Sequence, residues 1–135
     1  MFKALQKIIL LSLLISYTLS CSCVISTIQE NFNAADRVFE GRVLNKQCGA
    51  LWCNVTLKAT RSFKGSVHLI TRVKTAKDSA MCGFNFTVGK LTVVFADRNE
   101  NGMLETNMCR GTQLSNAALI TQLLALANGG KTTKK

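Results

Sequence analysis

The sequence predicts a mainly β domain: a small closed five-stranded barrel of the OB type, netrin-like in form, with a packed C-terminal helix and disulfide staples. Three observations lead there. Period-2 alternation marks strands through the middle of the chain, a helical apolar pattern follows near its end, and six cysteines are spread over 135 residues.

Residues 1–20 read as a secretory signal. Lys3 and Lys7 supply positive charge, residues 8–15 are apolar apart from Ser12, and Thr18 and Ser20 are small residues placed for a cut before Cys21. The apolar run is shorter than the roughly 20 residues that span a bilayer. A secreted, extracellular protein beginning at Cys21 is therefore expected, with one domain over residues 21–128 and a basic flexible tail over residues 129–135. No membrane span is expected.

Within the domain, Val55, Leu57 and Ala59 alternate with Asn54, Thr56, Lys58 and Thr60, the pattern of a half-buried strand. Strands are expected near residues 37–46, 53–62, 66–74, 90–96 and 103–108. Lys64-Gly65 and Asn99-Glu100-Asn101-Gly102 supply turn chemistry between them. Over residues 114–126, Leu119, Ile120, Leu123, Leu124 and Leu126 suit a helix that packs on the sheet. Ser115 or Asn116 can cap its start, and Gly129-Gly130 can end it.

All six cysteines (Cys21, Cys23, Cys48, Cys53, Cys82, Cys109) follow the expected cut. An even count in an exported chain implies a disulfide framework, and cysteine arithmetic alone leaves about fifteen pairings open. Cys48 and Cys53 are close enough for a local bridge across a hairpin. Zinc ligation by the cysteines is disfavoured, because no C-x-x-C pair exists and His68 is the one histidine. Asn54-Val55-Thr56 and Asn85-Phe86-Thr87 are N-glycosylation acceptor sequences, which suit the same compartment.

The formal charge is +10, or +8 once Lys3 and Lys7 leave with the signal. Such a balance draws a secreted protein to acidic glycans and membrane surfaces, and Lys131, Lys134 and Lys135 add a basic block at the end. An ordinary solvated, charged surface is nevertheless the preferred reading of the charge alone. Nucleic acid is not an expected partner, since no basic-aromatic motif accompanies the charge. Catalysis is not expected either. One histidine restricts any Ser-His or Cys-His site to His68, and bridged cysteines cannot act as nucleophiles. His68 reads as a surface or packing residue of the third strand. Asp97 to Gly102 matches half of a calcium loop, but Met108 stands where the bidentate Glu belongs, so a tight turn is the better reading. No resident cofactor is expected.

The expected mature start, Cys21-Ser22-Cys23-Val24, carries a family likeness. With Gln29 and Phe32 it resembles the opening C-x-C-x-P-x-H-P-Q-x-x-F-C of the tissue inhibitors of metalloproteinases, whose inhibitory domain is a netrin-like module. Ile25, Thr27, Ile28 and Asn33 replace that pattern's Pro, His, Pro and Cys. Asp36-Arg37-Val38-Phe39-Glu40-Gly41-Arg42-Val43, Arg61-Ser62-Phe63-Lys64-Gly65 and Ser79-Ala80-Met81-Cys82-Gly83 line up further along, followed by Val88-Gly89 and Gly102-Met103-Leu104 ahead of Cys109. The likeness covers residues 21–128 and is closest to the short single-domain form released by parasitic worms.

The resemblance implies bridges Cys21–Cys82 and Cys23–Cys109, leaving Cys48 and Cys53 to pair. It also implies a function: a metalloproteinase inhibitor whose Cys21 amino group and carbonyl chelate the catalytic zinc of the target. Ser22, Cys23 and Val24 would then touch the protease, with Ala80 and Met81 beside them. The zinc would belong to the target alone. The chain stops where the family's second domain would begin, so activities that need that domain are not expected. Two other functions suit the same exported module. One is immunomodulatory signalling through a cell-surface receptor, and the other is heparin binding in the matrix.

Overall fold

The computed structural model describes residues 2–4, 6–7 and 20–129. The apolar stretch of the expected signal and the tail lysines lie outside the described residues. Among the described residues no helix is long and apolar enough to cross a membrane.

The fold is built around a long antiparallel hairpin of β1 (Arg37–Cys48) and β2 (Trp52–Lys64). β3 (Ile70–Ala76) pairs antiparallel with β2, and β4 (Leu91–Arg98) pairs antiparallel with β1. The short β5 (Leu104–Glu105) closes the gap, parallel to β3 and antiparallel to β4. The order β1-β2-β3-β5-β4 thus returns to β1, giving the closed five-stranded mixed barrel that the alternation foretold. β6 (Gln113–Leu114) is one extra strand on β4. Helix α1 (Ile28–Ala34) precedes the barrel and α2 (Ala117–Gly129) follows it.

Two apolar cores explain why β1 and β4 are buried on both faces. Phe39, Val43, Val55, Leu57, Val73, Val94 and Ala96 fill one cluster with Cys53 and Phe86. Val38, Val93 and Phe95 join a second cluster, where Phe32 of α1 and Leu119 and Leu123 of α2 pack. Successive residues of β1 and β4 therefore serve different cores. In β2 the burial follows the sequence alternation: Cys53, Val55 and Leu57 are buried, while Asn54 and Lys58 are exposed.

The third strand starts at Ile70 rather than near residue 66. The β2–β3 register runs only from Lys58↔Ile70 to Trp52↔Ala76, so residues 66–68 have no ladder partner and His68 lies in the connection. The fifth strand is two residues, not six, and a 3-10 turn at Met108–Arg110 follows it. Hydroxyls do the work of the missing ladder. Thr112 Oγ1 accepts from Phe95 N at 3.0 Å, Thr106 Oγ1 donates to Phe95 O at 2.7 Å, and the two hydroxyls bond each other at 2.6 Å. Thr112→Val should leave a buried amide and a buried hydroxyl short of partners, at a cost of about 1–3 kcal/mol. A urea titration with a lower midpoint and unchanged slope would register it.

The C-terminal helix begins three residues later than expected and runs through Gly129. Asn116 is its cap, its Oδ1 accepting from Leu119 N at 2.9 Å. Ser115 instead bonds the carboxylate of the buried Glu40, which also accepts from Thr60 Oγ1 at 2.8 Å. α1 and β6 were not foreseen. In the Asp97–Gly102 stretch, Asp97 and Arg98 end β4 and the rest is a turn closed on itself, in which Asn99 Oδ1 accepts from the amides of Asn101 and Met103, both at 2.9 Å.

Candidate functional site

The site grows from the segment Cys21–Ser26, which has no regular structure and is held at two points. Cys21 is bridged to Cys82 and Cys23 to Cys109, with Cα separations of 5.1 and 5.2 Å. Cys48 is bridged to Cys53 across the β1–β2 turn, Cα to Cα 4.0 Å. These are the partners the family resemblance implies. The first two bridges lie against each other: Cys109 Sγ is 3.7 Å from Cys21 Sγ and 3.9 Å from Cys82 Sγ.

The loops that carry Cys82 and Cys109 are themselves fixed. Met108 N donates to Cys82 O at 2.9 Å, and Thr106 N donates to Lys74 O at 3.0 Å. Asp78 caps the short 3-10 turn Ser79–Met81, its Oδ1 accepting from Met81 N at 3.2 Å. Cys82 then takes a left-handed φ of 63°, and Gly83 packs so tightly that a Cβ there would sit 2.0 Å from Ala76 O. Only glycine permits that approach. The turn thereby presents Ala80 and Met81 outward, both exposed, beside the bridged segment.

Downstream, α1 anchors the segment's other end. Thr27 Oγ1 accepts from Glu30 N at 3.1 Å and Glu30 Oε2 accepts from Thr27 N at 2.7 Å, a reciprocal capping box. Lys64 Nζ donates to Phe32 O at 2.8 Å and Asn33 O at 2.9 Å at the helix end. The Thr27-x-x-Glu30 pattern was the sequence signal for this helix. It means that only Val24, Ile25 and Ser26 separate the Cys23 bridge from a capped helix, so the missing prolines are offset by anchors on both sides.

The result is a projecting apolar ridge. Val24 is 89% exposed and Ile25 99%, and among the described residues neither is covered. Ser22 and Cys23 are exposed and Cys21 is half-buried. The tip of the β1–β2 hairpin joins the Met81 side, because Lys77 N donates to Leu51 O at 2.8 Å. Leu51 and Trp52 are also exposed there, and Lys74 Nζ lies 4.4 Å from the Trp52 ring centroid. Sequence reasoning did not single out Leu51 or Trp52. Their signal was two large apolar residues between the close pair Cys48 and Cys53.

Among the described residues, Cys21, Cys23 and Cys109 bring three sulfurs within 4.8 Å of one another. All three are in bridges, and a bridged sulfur lacks the thiolate that ligates metals. Asn54 is exposed on the outer face of β2, and Asn85 is exposed with its Oδ1 accepting from Lys46 Nζ at 2.9 Å. No family model matches the chain, and no curated protein is significantly similar to it.

Proposed function

We propose that the protein, exported and cut before Cys21, is an inhibitor of zinc metalloproteinases and not itself an enzyme. The observation that carries this reading is the doubly bridged Cys21–Cys23 segment, projecting uncovered beside Ala80 and Met81. In the uncut chain the nitrogen of Cys21 is an amide bound to Ser20, with no lone pair to offer a metal. Cleavage converts it into an α-amine adjacent to its own carbonyl, a chelating pair. A catalytic zinc keeps one open position for water beyond its protein ligands. Displacing that water removes the nucleophile the metal generates. The amine binds in its neutral form, and metal binding releases its proton.

Ser22 follows into the pocket beside the zinc, while Cys23, Val24, Ala80 and Met81 line the protease surface. Both bridges order the ridge before contact, which lowers the entropic cost of association. The test is inhibition of a panel of zinc metalloproteinases by protein whose N-terminus is verified as Cys21. Stoichiometric inhibition of at least one enzyme is the expected result. No inhibition across the panel would leave the module to the receptor-signalling function.

A further inference from the structure

A second concave feature lies apart from the ridge. A groove of about 540 Å³ opens between the β2–β3 and β4–β5 connections, and none of residues 21–25, Ala80 or Met81 lines it. Arg37, Arg72, Arg98 and His68 face it, contributed by β1, β3, β4 and the β2–β3 connection, and among the described residues no acidic side chain does. Arg37 is fixed in place: its Nε donates to Ser66 O at 2.9 Å and its Nη1 to Asp36 O at 2.8 Å. The side chains of Arg72 and Arg98 are exposed and take no hydrogen bond or ion pair among the described residues. Neighbouring cations are satisfied differently, since Lys74 lies 3.9 Å from Glu105 and Arg110 pairs with Asp97. The nearby carboxylate of Asp36 already accepts from the backbone of Arg98 at 2.7 Å.

We propose that this groove binds a sulfated oligosaccharide, a segment of a heparin-like glycan. Like charges gathered in a concavity focus a positive field and favour an anion. Guanidinium groups pair with sulfate and carboxylate oxygens through two parallel hydrogen bonds, a geometry lysine lacks. Val67, Ile70 and Met103 also line the groove and give apolar surface for the faces of sugar rings. The volume falls within the roughly 300–1,000 Å³ of small-ligand sites. A lipid surface is nearly flat and would bridge over such a concavity. The sequence expectation rested on net charge and the tail lysines, whereas here three arginines distant in the chain form one site.

The experiment expresses the full-length chain in a secreting eukaryotic host and titrates the product with a heparin-derived hexasaccharide at physiological salt. Arg72→Ala with Arg98→Ala should weaken binding by at least about tenfold, given what hydrogen bonds to charged groups contribute. Lys77→Ala with Lys90→Ala removes the same charge from exposed positions outside the groove and should change affinity less than about twofold. If the double arginine variant does not fold, single Arg72→Gln and Arg98→Gln substitutions should each cost about threefold. Equal loss in the arginine and lysine pairs would overturn the site in favour of diffuse attraction. Undiminished binding of the desulfated hexasaccharide, or tighter binding to phosphatidylserine vesicles than to the hexasaccharide, would overturn the ligand. Since the readout is glycan binding, it stands or falls separately from protease inhibition.

Discussion

Adding one alanine before Cys21 is expected to reduce the proposed metalloproteinase inhibition by at least about a hundredfold, the scale of losing a central binding hot spot. The added residue turns the Cys21 amine back into an amide and moves the charged terminus one residue away. It would also place a methyl group and a peptide unit where the proposed chelation displaces the target's water. The two bridges, the capping box of α1 and the barrel all lie beyond the insertion, so stability should change little. Native and extended proteins are to be compared by circular dichroism and by inhibition at matched concentration. Equal inhibition by the two would rule out chelation by the amine. A bulky residue in place of Ser22 should act more gently, shifting which proteases are inhibited rather than ending inhibition.

Replacing Cys23 and Cys109 together by serine should have the largest effect on stability. The two residues are 86 apart in sequence, but the intact Cys21–Cys82 bridge already closes most of that loop. What remains is the short step from Cys21 to Cys23 and the 27 residues from Cys82 to Cys109. A loop of that size corresponds to about 3–4 kcal/mol in the chain-entropy account. Inhibition should fall as well, by about tenfold or more, because residues 22–26 would then be ordered only on binding. Urea unfolding and inhibition measured on the same sample test both halves. Full stability with inhibition lost would mean that the bridge matters only for shaping the ridge. An unchanged inhibition constant would mean that the ridge needs no preordering.

How far the sequence could be read depended on how local each signal was. β2 was legible because one of its faces is buried and the other exposed, so Val55 and Leu57 stand out against Asn54 and Lys58. α2 was legible from its leucine spacing, although Asn116 and Ser115 divide the roles that were open to either of them. β5 was overextended because Thr106 and Thr112 satisfy Phe95 through hydroxyls, a solution that no strand pattern announces. α1 carried a clear capping box but only seven residues, too few for an apolar periodicity to register. The Cys21–Ser22–Cys23 motif identified the ridge segment, yet Leu51 and Trp52 join it only through a turn-to-loop hydrogen bond. The arginine groove was invisible for a different reason: Arg37, Arg72 and Arg98 meet only when the barrel closes.

That closure also orders events in time. The β1–β2 and β2–β3 pairings join neighbours in sequence, whereas Arg37↔Ala96 joins residues from opposite ends of the domain. Contacts of high sequence separation form slowly, since a long loop must close before they are rewarded. Chain emerging from a ribosome can therefore zip the first three strands early, but Cys21 must wait for Cys82 and Cys23 for Cys109. The ridge therefore gains its second fastening only after Cys109 has been made, and an oxidant for that bridge is needed at that late point.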